Sequence, residues 1–399
     1  ERRGLLKGEV GRGTFVRAAG SGPVPSLHDV EERTDIIDLS MNYPVNTDAD
    51  AMLAAGLRKI AARPGVGRLL EYLPCRGRSD HRAAGAVWLR RFGIEAEPAE
   101  IVVTAGGQNA ITSVLANLAG PGDIVLTESV TYPGVKLAAA LLRFELVGLD
   151  MDEQGILPDA FDRACRGGRA RALFCMPTLQ NPSGAHMPVA RRREIAALAR
   201  RHGVKIVEDD IYGFLVQDAP APLVSHAPEL GFYIASLSKA IAPGLRVGFV
   251  ASPPEFAAPI ANVVRTTTFM APPVLVDLAC QWISDGTSER LAAQYRAEAM
   301  IRQDMARTML AGLNYAANPA AYHLWLELPE HWAAAHFAAE ARQRGVIVTP
   351  AEVFAVTSPA PRAIRLCLSA ARSQGELRRA LAIIADLARQ LPDHSPAIV

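Results

Sequence analysis

The sequence predicts an α/β chain, with a large domain built on a mostly parallel sheet between helices and a smaller α+β domain after it. Three observations carry this expectation. From Ile36 onward, short runs of consecutive apolar residues recur, such as IVVTAGG and RALFCMP, the pattern of strands buried on both faces. Amphipathic helical stretches lie between several of them, and that alternation implies parallel strands joined by helical crossovers. Past Ala271 the rhythm changes to one long helical stretch followed by shorter strand-length and helix-length runs.

Taken in order, the first element is the segment ERRGLLKGEVGRGTFVRA. It begins without methionine and without a helix start signal, so a longer parent chain is expected. Gly8, Gly11 and Gly13 do not make a phosphate loop, because no helix follows them. Two short strands, Lys7–Val10 and Thr14–Arg17, paired across a glycine-rich basic turn, fit better. GSGPVPSLHD reads as a linker. The expected division is residues 1–19 for this piece, 20–45 for linker and N-terminal arm, 46–270 for the large domain and 271–399 for the small one.

Buried strands are expected at Ile101–Gly107, Asp123–Ser129, Arg171–Pro177, Val204–Asp210, Phe232–Ser238 and Leu245–Ser252. PGVKLAAALLRFEL and PVARRREIAALARRHG read as helices between them. A long helix is expected from about Ser288 to Leu313. After it come YHLWLELP, a helix, VIVTP, AIRLCLS and a last helix ending near Leu391.

Composition narrows the function. A net charge of +1 gives no global attraction to nucleic acid or membrane. No apolar run approaches the roughly 20 residues that span a bilayer, and ERRGLLKGEV has too short an apolar stretch for a signal peptide. Five scattered cysteines without metal-ligand spacing suggest reduced thiols in the cytoplasm, with no metal site.

In an open α/β sheet the ligand sits beyond the carboxyl ends of the strands, so the polar residues just after each expected strand are the candidates. Gly107 and Gln108 open a helix after IVVTAGG, where free backbone N–H groups attract an anion. Tyr132 lies on the loop after DIVLTES, with a flat ring available for stacking. Asn181 precedes Pro182, which keeps it out of the helical region. Asp209 and Tyr212 lie in EDDIY, three acids ending a buried strand and costly to desolvate without a cationic partner. Ser236, Lys239 and Arg246 lie in SLSKAIAPGLRVG. Burial lowers the pKa of such a lysine and favours the nucleophilic amine, while the hydroxyl and guanidinium suit a phosphate. One ligand asks for an imine-forming lysine, an acid for a ring nitrogen, donors for a ring oxygen, an aromatic lid and a phosphate cup. That ligand is pyridoxal 5′-phosphate.

Residues 36–399 resemble the fold-type I, class I/II pyridoxal-phosphate aminotransferases, with SLSKAIAPGLRVG as the most specific match. The resemblance implies a large domain with a seven-stranded type of sheet. It implies that Lys239 holds the cofactor as an imine, that Asp209 pairs with the pyridinium nitrogen, and that Asn181 and Tyr212 bind the phenolic oxygen. Tyr132 would stack on the ring, and Gly107, Gln108, Ser236 and Arg246 would hold the phosphate. Arg365 would grip a substrate α-carboxylate, with Asn181 and Tyr43 also on the substrate side. Tyr72, in YLPCRGRSDHR, would reach across a homodimer with shared active sites to the neighbour's phosphate.

The first segment resembles the end of a GntR-type winged helix, and such a domain fused to an aminotransferase-like one is the MocR architecture. The resemblance implies a transcriptional regulator that senses an amine, an amino acid or the cofactor itself by transaldimination at Lys239. DNA would then be bound only through the missing winged-helix domain, and no membrane is involved. The alternative is a working aminotransferase passing an amino group between an amino acid and a 2-oxo acid. Two departures bear on the substrate: His81-Arg82 stands where family members show Leu-Arg, and LSMNYPVN lacks a glycine common on the substrate side.

Overall fold

The computed structural model describes residues 6–9, 13–16, 36–44 and 48–390. Leu6–Glu9 and Gly13–Val16 pair as an antiparallel ribbon, with Leu6 opposite Val16 and Glu9 opposite Gly13. Each strand starts one residue before its expected place. This ribbon lies in a unit that ends at Thr34; everything below concerns the second unit, which begins at Asp35. The linker expected between them lies outside the described residues up to position 35.

Seven strands form the central sheet: β1 (Ile101–Thr104), β2 (Ile124–Glu128), β3 (Glu145–Leu149), β4 (Ala170–Cys175), β5 (Lys205–Asp209), β6 (Gly231–Ser236) and β7 (Gly248–Ala251). Their order is β1-β7-β6-β5-β4-β2-β3. All neighbours are parallel except the two pairs made by β7, which runs antiparallel to β6 and β1. Residues 237–247 hold only a one-turn helix and a 3-10 turn. Parallel strands need a longer crossover, so β7 returns antiparallel. Every residue of β1, β6 and β7 is buried, which explains their unbroken apolar runs.

One sequence expectation is corrected here. PGVKLAAALLRFEL is not helical throughout: the helix is Pro133–Leu142, and Arg143 closes it in the left-handed region at φ 63°. Glu145 then starts β3, an edge strand whose middle residues are only half-buried. Its apolar residues continue the helical spacing, and that masked the break.

A second sheet contains β8 (Tyr315–Ala317), β9 (His323–Glu327), β10 (Thr349–Pro350) and β11 (Ala363–Cys367), in the antiparallel order β8-β9-β11-β10. Two hydrophobic cores meet along the long helix Thr287–Met309. Its Leu291, Tyr295 and Ala299 belong to the core of the large sheet, together with Val276 and Ile283 from the preceding helix. Its Ala306 belongs to the second core, with Leu324, Leu366 and Ile384.

The arm at residues 36–44 joins that second core through Ile37 and Leu39. Ile37–Asp38 pairs in parallel with Val346–Ile347, and the carbonyl of Leu39 accepts a bond from Cys367 N at 2.9 Å. The arm thus crosses back to the far end of the sequence. Among the described residues no helix is long and apolar enough to cross a membrane, and all five cysteines are unbridged.

Candidate functional site

The site forms where the carboxyl ends of β1, β5 and β6 face the arm and β11. Strand periodicity sorts the three acids ending β5, since successive side chains point to opposite faces. Glu208 and Asp210 share one face with the buried Arg192: Glu208 lies 3.6 Å from its guanidinium and also accepts from Val224 N. Asp210 accepts from the Tyr233 hydroxyl at 2.6 Å. Asp209 points the other way, toward Lys239. Its Oδ1 is buried without a hydrogen-bond partner. Burial, with Asp210 and Glu128 adding negative charge, pushes its carboxyl up to about 8, against a modest pull from Lys239.

Lys239 sits in the one-turn helix Leu237–Ala240 that leaves β6. Burial brings its amine down to about 8; Arg365 and Arg246 act in the same direction, Cys367 and Asp209 against it. Its Nζ donates to the carbonyl of Asn42 on the arm. The serine that caps this helix, Ser236, is buried and accepts from Ser238 N, and its hydroxyl donates to Ser238 Oγ at 3.1 Å.

Backbone geometry shapes the anion cup. Gly106, at φ 88°, precedes the helix Gly107–Leu118, whose first N–H groups have no partner within the helix. A Cβ on Gly106 would lie 2.6 Å from Nη2 of Arg246, so only glycine lets that guanidinium approach. A Cβ on Gly107 would lie 3.3 Å from the Ser236 Cβ. Arg246 is exposed, donates to the Ala105 carbonyl at 3.3 Å, and has no ion-pair partner among the described residues. Gly107, Ser236 and Arg246 therefore lie close together. Gln108 offers its backbone N–H there, but its side chain turns away and donates to the carbonyl of Gly134 at 2.9 Å.

Tyr132 immediately precedes the helix Pro133–Leu142. Its hydroxyl is pushed up to about 12 by burial and by Asp209, with Arg246 and Arg365 opposing, which places it among these groups. A side chain on Gly134 would overlap both Tyr132 and Gln108, a requirement the sequence reading did not detect.

On the opposite wall, Arg365 of β11 is buried, and its Nη1 donates to Asn181 Oδ1 at 2.7 Å. Its Nη2 donates to the Ser40 carbonyl, its Nε is buried without a partner, and its Cζ lies 4.7 Å from the Phe354 ring. The Tyr212 hydroxyl accepts from Asn42 Nδ2 at 2.9 Å. Burial raises the pKa of that hydroxyl.

Two expected residues are not drawn into this cluster. Tyr43 is half-buried, and the charges acting on its hydroxyl come from Asp38, Arg372, Glu376 and Cys367. Tyr72 is 82% exposed, with its ring 4.7 Å from that of Phe269. Three residues entered without a sequence signal: Ser40, which acts through its backbone carbonyl, Asn42, which uses both its carbonyl and its side-chain amide, and His323, buried in the middle of an apolar run. The departure at His81 is structural, since its Nε2 lies 3.1 Å from Asp277, a carboxylate already paired with Arg63 and Arg78.

The chain can be tested against pyridoxal 5′-phosphate on its own atoms. The orphaned Oδ1 of Asp209 is an acceptor awaiting a ring N–H, and the glycine-lined cup offers backbone donors, a hydroxyl and an unpaired guanidinium to a phosphate. The residues present fit that group.

The family described as "Aminotransferase class I and II" matches residues 34–384. An uncharacterized HTH-type transcriptional regulator of Bacillus subtilis (strain 168), YdeF, is 29% identical over 385 residues, covering 96% of this chain and 83% of that protein. Aromatic-amino-acid aminotransferase 1 of Thermococcus litoralis is 25% identical over 346 residues, 83% of each chain. Among solved structures, kynurenine aminotransferase of Pyrococcus horikoshii superposes with a TM-score of 0.83 at 22% identity, covering 90% of this chain and 91% of that one, a likeness of fold.

Proposed function

Because the chain belongs to the class I and II aminotransferase family, whose cofactor is pyridoxal 5′-phosphate, we propose that it is the effector-sensing domain of a MocR/GntR-type transcriptional regulator, taking an amine or amino acid at Lys239. When bound, the cofactor supplies an aldehyde for the amine and a ring that accepts electrons. In this reading Lys239 carries the cofactor, and its amine, brought to about 8, is neutral in appreciable share near neutral pH. Asp209 accepts the ring N–H, and Tyr212 and Asn181 serve the ring oxygen. Tyr132 covers the ring, and Gly107, Gln108, Ser236 and Arg246 hold the phosphate. Arg365 takes the ligand carboxylate in two-pronged fashion.

The observation that carries the sensor reading is the arm. The carbonyls of Ser40 and Asn42 occupy Arg365 and Lys239, the two cations this reading assigns to ligand and cofactor. A ligand that takes Arg365 must displace a carbonyl of the segment leading back to the N-terminal ribbon, so occupancy alters the hold on the arm. The ribbon and the likeness to a helix-turn-helix regulator over most of the chain support the same reading.

A homodimer fits the exposed apolar surface of Leu70 (87% exposed), Tyr72 and Phe269; across it Tyr72 would reach the neighbour's phosphate cup. Catalytic turnover is the second reading, favoured by the chain's full set of acid, lysine and carboxylate-gripping arginine. The discriminating experiment is an absorbance titration of the cofactor-loaded protein with single amines and amino acids, each repeated with a 2-oxo acid and product analysis. Spectral change without product is the expected result. Sustained amino-group transfer would establish the enzyme instead, and no spectral response to any amine would end the sensor reading.

A further inference from the structure

A chain of buried hydrogen bonds behind Tyr212 is used by none of the steps above. It links four distant segments: the arm, the loop after β4, the loop after β5, and β9. Asn42 Nδ2 donates to the Tyr212 hydroxyl at 2.9 Å and meets His323 Nδ1 at 3.0 Å, while His323 Nε2 meets the carbonyl of Gln180 at 3.0 Å. The direction of these bonds follows from the one member with a single role. A carbonyl only accepts, so Nε2 carries the ring proton toward Gln180. Burial, with Arg365 nearby, holds the imidazole neutral, its pKa down at about 3. Nδ1 is therefore an acceptor, and Asn42 must turn its NH₂ end, with both hydrogens, to His323 and Tyr212. The Tyr212 oxygen then receives a bond from behind, and its own proton has to point elsewhere. The Tyr212 ring lies 5.5 Å from that of His323, centroid to centroid, so packing holds the phenol in this place too.

We propose that His323 is a positioning residue: through Asn42 it fixes the Tyr212 hydroxyl as an acceptor from the interior, and so as a donor to the phenolic oxygen of the cofactor. The proposal rests on the reading of Tyr212 as a ligand of that oxygen. It assigns β9 and the arm a shared task, since an amide shift at residue 42 changes what Tyr212 can donate.

The test reads the pH midpoint of the visible absorption band of the bound cofactor, a spectroscopic signature independent of turnover. A donor to the phenolic oxygen makes that oxygen a poorer partner for a neighbouring proton, so losing the donor raises the midpoint. Tyr212→Phe should raise it by about 0.5–1 pH unit. His323→Asn keeps an acceptor at the position of Nδ1 and should leave the midpoint near that of the unmodified protein, whereas His323→Phe should raise it. Asn42→Asp, which replaces the donor by an acceptor without changing size, should raise it about as far as Tyr212→Phe, and it serves where His323→Phe does not fold. Neither change should add to the shift in the Tyr212→Phe background. If Tyr212→Phe shifts the midpoint and both His323→Phe and Asn42→Asp leave it in place, the positioning role is wrong and the Tyr212 reading stands. If Tyr212→Phe itself does nothing, both fall.

Discussion

The two walls of the site are held together in different ways. On one, Asp209, Ser236, Lys239 and the Gly106–Gly107 turn each sit at the end of a strand of one sheet, and their positions follow from strand register alone. On the other, Arg365 is tied to Asn181 and Ser40 by bonds spanning 184 and 325 residues of sequence, and Asn42 to Tyr212 and His323 by bonds spanning 170 and 281. The first wall is preorganised and leaves an acceptor unsatisfied, as a permanent cofactor site should. The second wall holds Nη2 of its one cation, Arg365, with the Ser40 carbonyl, which an incoming carboxylate can replace. A ligand therefore changes the second wall more than the first.

Lys239→Ala attacks the first wall hardest. Covalent attachment of the cofactor should be lost outright, read as no mass addition after borohydride reduction; an addition of undiminished yield would place the attachment on another lysine. Arg365→Ala attacks only the second wall. Amino-acid affinity in the absorbance titration should fall by about 2–5 kcal/mol, roughly 30-fold or more, while cofactor retention through gel filtration stays intact. Equal loss of both would erase the distinction between the walls. Asp209→Asn removes a charge-assisted bond worth about 1.5–3 kcal/mol, so cofactor affinity should drop roughly 10- to 100-fold. Unchanged affinity would mean that the orphaned oxygen has nothing to do with the ring nitrogen. Gly106→Ala strains a backbone at φ 88° and presses on Arg246. A stability loss of about 1–3 kcal/mol in urea unfolding is expected.

The same difference decides what could be read before the structure. Each first-wall residue lies a step or two beyond an apolar run, so Asp209, Lys239 and Arg246 stand out against hydrophobic neighbours and strand order places them together. His323 lies inside such a run, YHLWLELP, where a core histidine and a working one look alike. Ser40 acts through a carbonyl that every residue possesses, so no side-chain type betrays it, and Asn42, which uses its carbonyl and its side-chain amide, is a lone asparagine in a short arm with no pattern around it to single it out. β3 was hidden for a related reason: an edge strand half-open to solvent has no unbroken apolar run, and its residues extended the spacing of the helix before it. Antiparallel β7 was legible as a strand, but its direction depended on the length of a connection rather than on its own residues.

The last effect concerns protons, and it separates the walls in the cofactor-free protein. Asp209 is pushed from an ordinary 3.8 up to about 8, so between these values the folded chain holds a proton that the unfolded chain has released. The native state binds more protons there, and stability falls as pH rises. Lys239, brought from 10.5 down to about 8, works in the next window: above pH 8 the unfolded chain binds the extra proton, and stability recovers with rising pH. The two slopes meet near pH 8, and neither exceeds about 1.4 kcal/mol per pH unit. Melting temperatures measured from pH 5 to 9 after cofactor removal should descend toward that point. Asp209→Asn should lessen the descent, most clearly between pH 7 and 8, above the range in which Glu208 contributes, and Arg365→Ala should leave it largely in place. An equal descent in Asp209→Asn would move its origin to Glu208 on the other face of β5, a carboxyl that burial pushes up to about 7 against the pull of Arg192, and the contrast between the two walls would then have to rest on hydrogen bonding alone.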